Sequence, residues 1–164
     1  MGFGEVIATL ISIAVLMTVA QVFISEFSTS TDILMNPAKE MQDIKNEQLK
    51  TDINISSAYA SGNYIYLNIT NTGHEKIRDF SKIDVIVTDI TTKNTYWIKY
   101  TNNATLSNKE WKKNYINPDD INPDSILDPD ETMNVTIQMT LTSNPPYRVI
   151  IATPNGVRDS KYIP

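Results

Sequence analysis

The sequence predicts a mainly β protein, an Ig-like antiparallel β-sandwich preceded by a long N-terminal transmembrane α-helix. Three observations carry that prediction. No Lys, Arg, Asp or Glu lies between Glu5 and Glu26, in a run built mostly of Val, Ile, Leu, Ala and Met. From Thr51 onward, short segments alternate apolar and polar residues and are separated by Asn, Gly and Pro turns. No stretch after Lys50 shows the apolar period of a helix. Several short strands without helices make a sandwich. The 164 residues include no cysteine, so burial and hydrogen bonding alone must hold it.

Residues 1–27 form the anchor. Roughly 20 apolar residues make a helix of about 30 Å, enough to cross a hydrocarbon core. Thr9, Ser12 and Thr18 interrupt the run, but a helical hydroxyl bonds back to its own backbone at little cost in lipid. A secretory signal has a basic n-region and a short apolar core. A pilin-like signal places a basic residue before the cleaved glycine. Nothing basic precedes Gly2 or Gly4, so the segment is expected to be retained, with Gly4, Glu5, Ala8 and Ser12 as its helix-packing positions. Flanking charge orients it poorly: Lys39, Lys45 and Lys50 all lie well after it.

Residues 28–50 read as a stalk or linker, partly helical. Asn36-Pro37 is expected to break the first helix. Beyond it, Ala38 to Lys50 carries Met41, Ile44 and Leu49 as sparse apolar positions among Glu, Gln and Lys, a short amphipathic helix or solvated spacer.

Residues 51–164 form the sandwich. Ile53 and Ile55 share one face of a first strand. Tyr64 to Thr70 sets Ile65, Leu67 and Ile69 opposite Tyr64, Tyr66 and Asn68. Asn71-Thr72-Gly73 supplies a turn. Further strands are expected at Ile83–Thr88, Thr95–Tyr100, Asn134–Leu141 and Tyr147–Thr153, with Leu106 to Ser125 as an Asn/Pro/Asp-rich insertion. Trp97, between Tyr96 and Ile98, is assigned to the core. Trp111, beside Glu110 and Lys112-Lys113, is assigned to a charged loop, covering the sheet's end or anchoring a partner.

The inventory argues against an enzyme. His74 is the single histidine, beside a turn, and the five glycines form no phosphate loop. A net charge of −5 argues against nucleic acid as a partner. One stretch resembles a cation site: Asp120, Asn122 and Asp124 with Glu131 follow a calcium-loop spacing, except for Ser125 at the glycine position. Pro118, Pro123 and Pro129 exclude flanking helices, and the same residues read as a solvated loop. Calcium aside, no cofactor is expected.

The opening Met1-Gly2-Phe3, then "LNITNTGHEKI" (67–77), "ILDPDETMNVTI" (126–137) and "VIIATPNGV" (149–157), together resemble the accessory proteins F and G of the archaeal flagellum (the archaellum), F more than G. Asp130 stands where the family's turn often has glycine. The resemblance implies an uncleaved helix carrying an Ig-like sandwich outside the membrane, as a stationary, stator-like part of the motor. It implies a single-pass protein with its N-terminus inside, bound to surface-layer protein and to archaellum motor or filament proteins. A homodimer, or a hetero-oligomer with a paralogous accessory protein, also follows from it; the interface residues do not.

Asn54-Ile-Ser56, Asn68-Ile-Thr70, Asn103-Ala-Thr105 and Asn134-Val-Thr136 each match the N-glycosylation acceptor pattern, which fits an outside location. The alternative function is an archaellin or pilin-like filament subunit that polymerises through its N-terminal helix. Glu5 favours that reading; the missing basic residue and cleavage site oppose it.

Overall fold

The computed structural model describes residues 2–118, 126–141 and 146–164, with no side chains described over 27–36. The chain divides into two compact units, Met1–Ile44 and Lys45–Pro164. Helix α1 spans Phe3–Lys50 and contains Pro37, so the break expected at Asn36-Pro37 does not occur. An interior proline removes one helical hydrogen bond and crowds the carbonyl four residues back, at about 3 kcal/mol. The Glu-, Gln- and Lys-rich run after it consists of good helix formers and offsets that cost.

The second unit holds β1 (Ile53–Ser61), β2 (Tyr64–Asn71), β3 (Asp84–Asp89), β4 (Thr95–Tyr100), β5 (Glu110–Asn117), β6 (Thr132–Gln138), β7 (Tyr147–Ala152) and β8 (Arg158–Ile163). They hydrogen-bond in the order β1-β2-β6-β5-β4-β3-β7-β8. All pairs are antiparallel except β4 with β5, which is parallel and joined only at Lys99 with Glu110 and Tyr100 with Trp111. That short seam makes two four-stranded leaves of one sheet. At the opposite seam the Ile55 N–H of β1 donates to Asp159 Oδ2 of β8 at 2.7 Å, so a side chain occupies a donor that a bare edge would leave open.

Between the leaves lies the core. Ile55, Ile65, Leu67, Val135 and Ile137 come from one leaf, and Val85, Val87, Ile98, Val149 and Ile151 from the other. Period-two alternation explains most of this. Strands β5 and β8 were not foreseen: EWKKNYIN and RDSKYI carry too much charge to show an apolar face, and β5 replaces part of the expected insertion. The two tryptophans also exchange roles. Ile98 points inward, so its neighbour Trp97 points out and is 59% exposed, whereas Trp111 is fully buried. Ile116 lies five positions after Trp111, an odd step that would put them on opposite faces. A bulge between Lys113 and Tyr115 resets the parity, so both face inward. Trp111 packs on Tyr100, with ring centroids 4.6 Å apart.

Asn71, at the end of β2 and fully buried, ties three segments together. Its N–H donates to Glu131 O at 3.0 Å and its carbonyl accepts from the Asp130 N–H at 2.8 Å. Its side-chain Nδ2 donates to Glu75 O at 2.8 Å and Leu127 O at 3.0 Å, and its Oδ1 accepts from the Gly73 N–H at 3.1 Å. The turn thus held receives the end of α1: the His74 N–H donates to Lys50 O at 2.7 Å, and the Thr72 and Gly73 N–H groups donate to Asp52 O, each at 3.1 Å. A helix end leaves carbonyls without intrahelical partners, and this turn supplies one for Lys50 O. Gly73 is required by proximity, since a Cβ there would lie 2.3 Å from Asp52 N and 2.6 Å from Lys50 O. From the other side Gln48 Nε2 donates to Asn155 O at 2.7 Å, and Asn155 Nδ2 donates to Thr51 Oγ1 at 2.6 Å.

Two stability predictions follow for the full chain in detergent, read by urea unfolding. Trp111→Ala should cost about 3–5 kcal/mol, as expected for a buried aromatic, and Trp97→Ala under about 1 kcal/mol. Asn71→Asp keeps the shape but replaces the two N–H donors with a carboxylate oxygen facing the Glu75 and Leu127 carbonyls, and Gly73→Ala drives a methyl into backbone. Each should cost about 3 kcal/mol or more. Equal small losses at all four positions would contradict the packing described.

Candidate functional site

Within α1, Phe3–Glu26 is long and apolar enough to cross a membrane. Its apolar side chains, Leu10, Leu16 and Phe23 among them, are exposed. The hydroxyls bond inward to the helix: Thr9 to Glu5 O at 2.7 Å, Ser12 to Ala8 O at 2.8 Å and Thr18 to Val15 O at 2.8 Å. Such back-bonding leaves no hydroxyl seeking water, which suits a lipid surround. Gly4, Ala8 and Ser12 recur every fourth residue, and Gly4 has open space around its Cα; Glu5 lies in the first turn.

The outer faces of the two leaves differ in chemistry. On the first, Tyr59 and Tyr66 stack with centroids 5.0 Å apart. Beside them runs a ladder of amides: Asn134 Nδ2 donates to Asn68 Oδ1 at 2.7 Å, and Asn114 Nδ2 donates to Asn134 Oδ1 at 2.6 Å and Thr136 Oγ1 at 2.7 Å. On the second leaf the register aligns Trp97, Ile86 and Ile150 in one row and Thr88, Arg148 and Tyr162 in the next. Trp97 Nε1 donates to Asp84 Oδ1 at 2.9 Å and Arg148 to Ser160 Oγ at 3.0 Å. Exposed Trp, Tyr and Arg around half-buried isoleucines is the composition of an interface centre. Sequence reading left the interface open; parity was the available signal, because Ile98 facing inward sends Trp97 outward.

A third feature is the junction of α1 with the sandwich. A cleft of 210 Å³ beside it is lined by Glu47, Lys76, Arg78, Asp79, Lys82 and Asn155, among others. Hydrogen bonds from Ser81 hold the Asp79 carboxyl below its usual range, with help from Lys82. Lys76 Nζ meets the buried Asp128 Oδ1 at 2.6 Å. Asp130 adopts φ +66°, the left-handed conformation that a glycine takes without strain.

Of the residues considered for calcium, Asp120, Asn122 and Asp124 lie outside the described residues. Glu131 is buried and its carboxylate accepts the Asp128 N–H at 2.8 Å, so it braces the turn at Asp128–Glu131. Among the described residues no group of three His, Asp or Glu side chains is placed to hold a metal. His74 is exposed and joins the junction through its backbone. The four Asn-x-Ser/Thr asparagines separate: Asn68 and Asn134 sit half-buried in the amide ladder, Asn54 is exposed on β1, and Asn103 is exposed in the loop before β5.

The fold is found in solved structures. An archaellum periplasmic stator protein, FlaG of Sulfolobus acidocaldarius, superposes with a TM-score of 0.52 at 21% identity, covering 68% of this chain and 98% of that one. The periplasmic stator complex of FlaF and FlaG from the same organism gives a TM-score of 0.53 at 21% identity, over 67% of this chain and 86% of that one. In sequence, an uncharacterized protein of Archaeoglobus fulgidus is 30% identical over 162 residues, 98% of this chain and 94% of its own. Residues 2–162 match the description archaeal-type flagellin, and the chain belongs to that family.

Proposed function

We propose that the protein is a stationary structural component of the archaellum motor. Its apolar helix is anchored in the cell membrane, and its sandwich stands outside and tethers the motor to the surface layer. The observation that carries this reading is the junction. The last turn of α1 is bonded from two sides, by the Asn71–His74 turn and by Asn155, with Gly73 admitting the backbone at contact distance. A tether must bear load at the root of its outer domain, and several short bonds hold the last turn of α1 there. The likeness to proteins described as periplasmic stators supports the same reading.

The family match to archaeal-type flagellin favours a second reading, a filament subunit assembled through the anchor helix. The two part on location and processing. Intact-mass analysis of native membranes and of sheared filaments should find the chain unprocessed and in the membrane fraction. Recovery of a shortened chain from the filaments would make it a filament subunit instead. Orientation is separable, because the chain has no cysteine: Thr92→Cys, on the exposed turn before β4, should react with a membrane-impermeant maleimide on whole cells.

The Trp97 face of the second leaf is assigned to a paralogous accessory protein, since the similar solved assembly pairs two such proteins. Trp97→Ala or Arg148→Glu should lower co-purification of that partner at least ~10-fold, as loss of an interface anchor does, with little change in unfolding. Undiminished co-purification would place the contact elsewhere.

A further inference from the structure

Four asparagines carry the glycosylation pattern, and the fold treats them differently. We infer that Asn103 is the modified one, and that its sugar lies in a cleft formed by its own loop and the tyrosines of β2. The inference rests on the sandwich standing outside the membrane.

Asn68 and Asn134 face each other across the paired strands β2 and β6. The Asn134 Nδ2 that would have to carry the sugar donates to Asn68 Oδ1 at 2.7 Å, and Asn114 occupies the Asn134 Oδ1. A sugar there would break the ladder. Asn54 lies in the β1–β2 ladder opposite Thr70, and the hydroxyl its pattern needs, on Ser56, donates to Asn68 O at 3.1 Å. Asn103 is free of these ties. It and its neighbours Ala104 and Thr105 are exposed and lie outside every strand, the surface-loop setting the acceptor pattern calls for. The Thr101 hydroxyl accepts the Asn103 N–H at 3.2 Å, and Lys112 Nζ donates to Ala104 O at 2.6 Å, which hold the loop against the first leaf.

That position matters because Ala104 and Thr105 wall a cleft of 280 Å³, open to solvent, whose other residues include Tyr64, Tyr66, Lys112 and Thr136. Tyr64 and Tyr66 lie with centroids 6.3 Å apart. Aromatic rings beside ammonium and hydroxyl groups match a pyranose, which presents apolar C–H faces and a rim of hydroxyls. In the transfer, Asn103 Nδ2 attacks the anomeric carbon of a lipid-phosphate-activated sugar. The C1–N bond forms, the C1–O bond to phosphate breaks, the lipid phosphate leaves with the electron pair, and the amide gives up one proton.

The test is peptide mass analysis of the full chain from its native membranes. The Asn103 peptide should carry added sugar mass, while those of Asn54, Asn68 and Asn134 stay bare. Thr105→Ala should abolish the addition and Thr105→Ser should keep it. A bare Asn103 in cells whose Thr92→Cys variant is labelled from outside overturns the inference and leaves the orientation standing. A variant that is not labelled overturns both. Sugar on Asn68 or Asn134 instead overturns the assignment. For the cleft, Thr105→Ala should lower the melting temperature by roughly 3–5 °C, and Tyr66→Ala should remove that difference. An equal drop in both backgrounds would take the sugar off the rings.

Discussion

Asn71 commits both of its backbone hydrogen-bonding groups and its side-chain amide to the fold, reaching the turn at Asp128–Glu131, Glu75 and Gly73. A buried amide left partly unsatisfied costs about 1–3 kcal/mol per group, so the surrounding turns can adopt few other arrangements. What depends on it is the placement of His74 against Lys50 O, the last carbonyl of α1, and of Gly73 against Asp52 O just beyond it. An aliphatic residue at position 71 would fill the space and lose the joint. This is why one polar residue closes the inward row Ile65, Leu67, Ile69: it ends a hydrophobic strand and begins a hydrogen-bonded coupling.

The sequence displayed this coupling only in part. Asn71-Thr72-Gly73 reads as a turn, and it is one, but what demands a glycine at 73 is the closeness of Asp52 and Lys50. Close approach joins residues some twenty positions apart, which no local pattern records. Strands whose apolar residues alternate, such as β2, β3 and β7, were legible because burial on one face imposes period two. Strands β5 and β8 were not, since outward charges dominate them and, in β5, a bulge shifts the parity. The reversal of Trp97 and Trp111 has the same root: a tryptophan's size favours burial, but strand parity decides it.

Parity also shapes the two outer faces. Once Ile65, Leu67, Val135 and Ile137 fill the interior, their strand neighbours must face out, and on this leaf they are Tyr, Asn and Thr. On the other leaf the same rule turns Trp97, Ile86, Ile150, Arg148 and Tyr162 outward, with the two isoleucines half-buried. The first face suits hydroxyl-rich ligands through rings and amides; the second suits a protein surface, where apolar area and arginine carry the affinity. A single sandwich therefore presents two outer faces of different chemistry, and neither intrudes on the junction.

That separation bears on stator against filament subunit. A subunit polymerising through its N-terminal helix draws its assembly energy from helix packing. A tether, by contrast, takes load at the root of its outer domain. Here that root, Gln48 to Asp52, is bonded by the turn at Thr72–His74 on one side and by Asn155 on the other, at distances of 2.6 to 3.1 Å. Hydrogen bonds spread over two loops must break together for the joint to open, so its resistance exceeds that of any one of them.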